Sequence, residues 1–449
     1  MPIAIYVPTL TFNQVTGIDL HSVTPIVSLI CTIYTCMGGI KGVIWTDVLQ
    51  SLIMISSIAF VVIKGTMNLG GLGVVYERNL ASDRLVAPEM TFDPTVRMSV
   101  LSVFVGGTLF KLQGICISQP AVQRFLSLPN LKAVKKTLIS CTIGLIGLIA
   151  LCIYAGLLTY AAYYDCDPIT TKLARAKDQV VPLFVMQNVG MYPGVTGLFV
   201  SGVFSAALSS LSTSLNSIAG VVLKDFVEPF RTQPLTERQT AILLRVVVMC
   251  FGLLSLAMVS VVEKLGMVMQ LSATVGSMSA GPLLGIFTVG MLLPFVNTKS
   301  VLTGCLVAVS ITGYIVVRAQ VAFAAGEVIF PTKPVSVDGC TYEFDRNLLL
   351  NANLNGTTPK KLDSLHNVSF LWYTTIGSTL TILISLIATL FFGSQDTSQV
   401  DPILVVPFVR KFMKPSKYTS MTAGGICKKD KYMNMDLKEI KTKLAQSTD

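Results

Sequence analysis

The chain has 449 residues, of which 52% are hydrophobic and 13% charged, with a formal net charge of +10. A soluble domain carries about 25% charged residues, so the composition excludes a soluble globular protein and describes a polytopic, all-α membrane protein. It holds no Walker loop, only two histidines (His21 and His366) and no nucleophile motif of the G-x-S-x-G kind, which leaves ATP-driven, His/Cys-metal and enzymatic readings with nothing to rest on.

Crossing a hydrocarbon core of about 30 Å takes roughly 20 apolar residues. Residues 1–13 (MPIAIYVPTLTFN) are apolar but too short to cross, and they lack the basic start and cleavage site of a signal peptide. They read as the back half of a helix. Full spans are expected at about 22–41, 46–64, 97–117, 136–163, 194–222, 238–262, 267–294, 299–319 and 367–392. The transmembrane domain then occupies 1–392, about nine full spans plus the partial first helix, and 393–449 is a basic tail.

Between the first two spans, YTCMGGIKGVIWTDVLQ (34–50) places Gly38-Gly39 where a helix would end and Thr46-Asp47 where the next would begin. Asp47 and Gln50 have capping-box spacing. Lys41, Asp47 and Arg124 are on this reading caps and anchors at the inner mouth, or alternatively an inner gate. In the third span, VLSVFVGGTLFKLQGICISQ, Gly106-Gly107 should weaken the helix just before Lys111. A lysine at mid-membrane costs about 2.5–3.5 kcal/mol on insertion scales. It is held there by a carboxylate substrate, by snorkelling, or by a neighbour such as Glu263.

The segment Arg124–Lys136 has four basic residues and no acid, which places it in the cytoplasm. Counting from there puts Lys41, Lys224 and the tail from Arg410 inside, so the net charge reads as topology and attraction to anionic lipid rather than nucleic-acid binding. The loops 164–179 and 320–366 fall outside. They carry the sequons Asn355-Gly-Thr and, at the next span, Asn367-Val-Ser, and the two outer cysteines Cys166 and Cys340, a candidate disulfide.

The fifth span, Leu198–Val222, carries eight hydroxyls and Asn216. Ser205, Ser209, Ser212 and Asn216 fall on one stripe, with Ser210, Thr213 and Ser217 beside it. Such groups either glue helices together or hold a desolvated small cation by oxygen. The later span QLSATVGSMSAGPLLGIF offers Gln270, Ser272, Ser277 and Ser279 before Gly281-Pro282, with Gln270 either a substrate hydrogen-bonder or an interhelical contact.

Four stretches taken in order carry a resemblance: the junction YTxxGGxKxVIWTDxxQ, SQPAVQRFLSLP, YDCDP followed by KDQVVPLFV, and YPGVTGLFVSG-FSAALSSLSTSLNS. Together they resemble the sodium/solute symporter family, within it the branch of monocarboxylate, multivitamin and iodide symporters, over about residues 5–395. The resemblance implies an inverted-repeat fold of the leucine-transporter type with sodium and substrate near mid-membrane, and a plasma-membrane location that the sequons also favour. It implies sodium ligation by Ser209, Ser210 and the Ala206 carbonyl, sodium as coupling ion without other cofactor, and substrate contacts at Lys111, Gln113 and Gln270. Asp47 corresponds to the acid near the inner sodium path. Lys111 stands where the branch usually has Trp, a departure that fits an anionic substrate class of its own or a structural change. Relatives have about two and a half helices ahead of this chain's first residue, including one that completes the sodium shell. The expectation is therefore either a full symporter whose front is missing from this sequence, or a short form that does not transport and associates with full-length relatives.

Overall fold

The computed structural model describes residues 1–413 apart from 88, 97, 175–176, 232, 263–267, 325–332 and 343–367, and leaves aside the side chains at 40, 268–273, 275 and 323–324. The sequons at Asn355 and Asn367, Glu263, and the tail beyond residue 413 lie outside the described residues. All regular structure among the described residues is helical.

In chain order the first helices are α1 (Pro2–Thr16), α2 (Leu20–Gly39), α3 (Lys41–Leu69) and α4 (Leu72–Ala81). Next come α5 (Ser102–Ile117), α6 (Gln119–Leu126), α7 (Leu131–Ala162), α8 (Val180–Phe184) and α9 (Val195–Val221). The remainder are α10 (Glu237–Val262), α11 (Val268–Leu292), α12 (Thr298–Ala324), α13 (Trp372–Phe392) and the single turn α14 (Pro407–Arg410). Among the described residues, α2, α3, α7, α9, α10, α12 and α13 contain stretches long and apolar enough to cross a membrane. Shorter apolar helices are Ser102–Ile117 and Gly276–Leu292.

The chain forms two compact units. The first comprises Met1–Ala87, Leu131–Val268 and Phe330–Thr358. Its centre is α9 packed along α3, an approach close enough that a Cβ on Gly202 would stand 2.5 Å from the Ser57 hydroxyl. Towards one end, Val61, Leu158, Phe184, Val189 and Phe199 form a core; towards the other, Ile5, Cys31, Leu211, Leu215 and Val248 form a second. Three buried hydroxyls of α2 are satisfied within their own helix: Thr24, Thr32 and Thr35 each donate to the carbonyl four residues back, at 2.7–2.8 Å. That is how polar side chains are tolerated where no water reaches the backbone.

Within this unit Cys166 is bonded to Cys340, their Cα atoms 4.9 Å apart. The segment after residue 332 runs along the α7–α8 connection: Asp167 N–H donates to the Ser336 carbonyl and Gly339 N–H to the Asp165 carbonyl, both at 2.9 Å. Thr171 and Tyr342 share a hydroxyl–hydroxyl bond of 2.7 Å, and the Lys333 ammonium donates to the Asp83 carbonyl.

The second unit comprises Pro88–Asn130, Met269–Ile329 and Pro359–Asp449. Small residues bring its helices together: a Cβ on Gly281 would meet the Thr374 carbonyl oxygen of α13 at 2.8 Å, and one on Gly304 of α12 the Thr381 carbonyl oxygen at 2.8 Å. Close backbone approach through glycine is the usual packing of helices in lipid.

Two local expectations are corrected. Thr46-Asp47 does not start a helix. Backbone geometry leaves the helix only at Gly39 (φ 52°, ψ −156°), α3 begins at Lys41, and Asp47 lies more than one turn inside it. Only glycine adopts that φ without strain, so one glycine makes the break and the capping pair is not needed. Likewise Gly106-Gly107 does not unwind α5. Gly107 is helical (φ −62°, ψ −40°), and the disturbance is a shift of register to π-turns at Ser102–Gly107 and Gln113–Ile117. Gly106 is small for a tertiary reason: a Cβ there would lie 2.8 Å from the Leu371 carbonyl carbon.

Candidate functional site

The hydroxyl-rich stripe of α9 faces α3 and α2. Ser205 and Ser212 are buried, and Ser209 and Asn216 are half-buried. Most hydroxyls turn back on their own helix: Ser214 donates to the Ser210 carbonyl at 2.8 Å and Ser217 to the Thr213 carbonyl at 2.9 Å. Two turn outward to Asp47. Ser209 Oγ donates to Asp47 Oδ1 at 2.5 Å, and Thr213 Oγ1 donates to Asp47 Oδ2 at 3.3 Å. The carboxylate is buried, at 9% exposure. Asp47 reaches this position because α3 continues uninterrupted past it and α9 presents Ser209 and Thr213 at i and i+4, one above the other.

One turn back along α9, Ser210 Oγ donates to the Ala206 carbonyl at 3.0 Å. Of the three expected sodium ligands, Ala206 and Ser210 therefore touch each other, whereas Ser209 is turned to Asp47. Ser210 is exposed and Ala206 half-buried within this unit. The Leu208 carbonyl, between the two groups, accepts from Tyr34 Oη at 3.1 Å and from the buried Cys31 thiol at 3.8 Å, which ties α2 to the same turn of α9. The amide nitrogen of Asn216 is buried and has no hydrogen-bond partner among the described residues.

The oxygens on this stretch of the first unit fall into two groups: the Asp47 carboxylate with the Ser209 and Thr213 hydroxyls, and the Ala206 carbonyl with the Ser210 hydroxyl. Oxygens of this kind replace the water shell of a hard monovalent cation. A carboxylate at a buried position is the kind of group that offsets the charge of a bound cation. In the sequence Thr213 stands only beside the polar stripe, and Asp47 reads first as a cap. The signal for Thr213 as a partner of Ser209 is present in their i, i+4 spacing. Asp47 has no such signal, since only the packing of α9 on α3 supplies its partners.

The expected substrate contacts belong to the second unit. Lys111 is exposed on the α-helical turn Thr108–Leu112 between the two π-turns, with no hydrogen bond or carboxylate partner among the described residues. Gln113 is half-buried at the start of the second π-turn. Register shifts of this sort inside a helix occur often at functional sites. The Phe110 ring lies 3.8 Å from the Cβ position of Gly276 on α11. Gln270 stands near the start of α11, its side chain outside the described residues. Of the inner-gate candidates, Lys41 is exposed beside the Gly39 break, Asp47 is the buried acceptor above, and Arg124 is exposed on α6 of the other unit.

Comparison with known proteins agrees with this architecture. The model of the sodium:solute symporter family matches residues 4–308. The sodium-coupled monocarboxylate transporter 1 of Xenopus laevis is 32% identical, the match covering 87% of this chain and 64% of that protein. The sodium-coupled monocarboxylate transporter 2 of Homo sapiens is 31% identical (92% and 66%), and the sodium-dependent multivitamin transporter of Oryctolagus cuniculus 32% identical (92% and 65%). The chain thus spans just under two thirds of the length of these relatives. Among solved structures, a Na+-coupled sialic acid symporter in a substrate-bound outward-open state, described as revealing a novel Na+-site, superposes with a TM-score of 0.64. It is 22% identical, the match covering 88% of this chain and 72% of that one. That likeness gives the fold, a leucine-transporter-like helical assembly.

Proposed function

The chain belongs to the sodium:solute symporter family, and from that premise we propose that it serves sodium-coupled symport of small organic anions, monocarboxylates or vitamins such as biotin and pantothenate, across the plasma membrane, with its C-terminus in the cytoplasm. The observation that carries the reading is the buried Asp47 carboxylate with Ser209 and Thr213 donating to it, beside the Ala206–Ser210 pair. Sodium bound there is held by Ser209, Ser210 and the Ala206 carbonyl, and the Asp47 charge offsets its own. The hydroxyls of Ser209 and Thr213 keep their protons and donate them to the carboxylate, while their oxygen lone pairs face the ion. Lys111, Gln113 and Gln270 are the proposed substrate contacts, with the Lys111 ammonium as counter-ion to a carboxylate; Lys41 and Asp47 of the first unit and Arg124 of the second are each proposed as inner-gate residues.

The energetics suit the task. A tenfold sodium gradient supplies about 1.4 kcal/mol per ion, and a potential of about 60 mV supplies a similar amount per charge. Coupling requires that sodium bind one conformation better than the other, because an ion with equal affinity for both shifts nothing.

The test is uptake into proteoliposomes holding the purified chain, with an imposed sodium gradient and labelled lactate, biotin or pantothenate. Accumulation of one of them that needs sodium and is lost in choline is expected. Equal uptake in sodium and choline by a chain that folds and reconstitutes refutes the reading. The span of 64–66% of these relatives motivates a second reading, that the chain acts in association with a longer relative. Its signature is co-purification with that relative and no sodium-dependent uptake by the chain alone.

A further inference from the structure

The segment that follows α13 does not leave the molecule as a loose tail. Helix α13 ends at Phe392, and the Asn297 amide, just before α12, donates to the carbonyls of Phe392 and Gly393 at 3.2 and 2.7 Å. The end of α13 therefore lies level with the end of α11 at Leu292 and the start of α12 at Thr298. From there the chain turns back along that face. Gln395 N–H donates to the Phe295 carbonyl at 2.7 Å, and Val406 N–H donates to the Met291 carbonyl at 3.2 Å. Val405 is plugged in beside them at 1% exposure. The Arg410 guanidinium donates to the Val405 and Ile403 carbonyls at 2.7 and 3.0 Å, folding residues 403–410 into one piece.

The other side of this strap is apolar and open. Ile403, Leu404, Phe408 and Phe412 are 53–77% exposed, and the last two rings stand edge to face at 5.6 Å. This row continues from Leu390 and Phe391 at the end of α13, which are 84% and 82% exposed on a helix apolar enough to cross the bilayer. Lys411 on the strap is exposed, and the sequence that follows adds Lys414 and Lys417, with no acidic residue between Asp401 and Asp430. Exposed aromatic and aliphatic side chains at a helix-end level, rimmed by basic ones, are what an in-plane interfacial anchor requires.

We infer that residues 401–413 are an in-plane membrane anchor whose partner is an anionic phospholipid surface, with Phe408 and Phe412 seated among the acyl chains and the lysines on the headgroups. The lipid occupant is argued from the continuity of the row with the exposed apolar end of α13, a helix apolar enough to cross a bilayer, and from charge complementarity. The inference stands independently of the transport reading.

The experiment reconstitutes the full chain carrying Phe408→Trp, or in parallel Phe412→Trp, in nanodiscs and takes the difference in emission from the parent. At equal mole fraction, brominated phosphatidylserine is expected to quench the new Trp about fivefold more than brominated phosphatidylcholine, the preference that a single lysine at an anionic surface provides. High salt, or the combination Lys411→Gln, Lys414→Gln and Lys417→Gln, should bring the two lipids to parity. Equal quenching by both lipids from the start overturns the anionic preference. Quenching by aqueous acrylamide and not by either lipid shows a strap standing in water, and quenching by none of the three shows a protein segment covering it. Either result overturns the anchor.

Discussion

Replacing Ser209 by Ala tests the cation site most directly. Its hydroxyl makes a 2.5 Å bond to one oxygen of a buried carboxylate, and hydrogen bonds to charged groups contribute about 1.5–3 kcal/mol. The substitution removes that bond and one proposed sodium ligand together. At about 1.4 kcal/mol per tenfold, the sodium needed for half-maximal effect should rise by roughly 10- to 150-fold. The effect is readable in the purified chain as sodium-dependent thermal stabilisation, with choline replacing sodium at constant ionic strength, because a ligand that binds only the folded state stabilises by RT ln(1 + [L]/Kd). Ser214→Ala is the matched control: its hydroxyl donates only to the Ser210 carbonyl within α9, and its sodium midpoint should not move. A Ser209→Ala midpoint within about threefold of the parent, in a protein that melts normally in choline, would sink the assignment of this hydroxyl.

Three further outcomes follow from particular contacts. Gly202→Ala places a Cβ 2.5 Å from the Ser57 hydroxyl and 2.6 Å from its Cβ, an overpacking that costs about 1–3 kcal/mol. Thermal melts should show the loss and show Ser57→Gly on the same background restoring it, and an unchanged melt would mean the α3–α9 seam is looser than described. Cys166→Ser, Cys340→Ser and the double variant should lose the same stability, about 2–4 kcal/mol for a bond that typically stabilises by that much. Unequal or additive losses in denaturant unfolding would contradict a pairing between these two residues. For Lys111→Met, the half-saturating concentration of a carboxylate substrate in uptake should rise about tenfold or more while sodium dependence stays the same. An unchanged value removes the ammonium as counter-ion.

Much of this molecule is legible in its residues. Long apolar runs must become helices in a membrane because no other segment satisfies its own backbone there, so the all-helical membrane class follows from composition and run length, while seven helices among the described residues are long and apolar enough to cross. The i, i+4 spacing on residues 205–216 announces a polar face on α9, and the placement of Cys166 and Cys340 in loops between the spans marks them as partners. The helix break is also announced, although Gly38 and Gly39 cannot be told apart by eye; the left-handed φ falls on Gly39 alone.

Tertiary structure decided what these polar groups do. Local spacing makes Thr46-Asp47 a helix start, since a side chain that can cap a backbone N–H is the strongest signal a short window contains. Whether that carboxylate instead meets Ser209 and Thr213, 162 and 166 residues away, depends on α9 lying against α3, and no local term encodes it. The same holds for the glycines. Gly106, Gly202 and Gly304 look alike in sequence as helix weakeners, yet each is small because another helix occupies the space its Cβ would fill. Propensity, spacing and hydropathy are properties of a segment and are set by the sequence alone. Hydrogen-bond partners and close approaches are properties of pairs distant in the chain, and only packing brings them together.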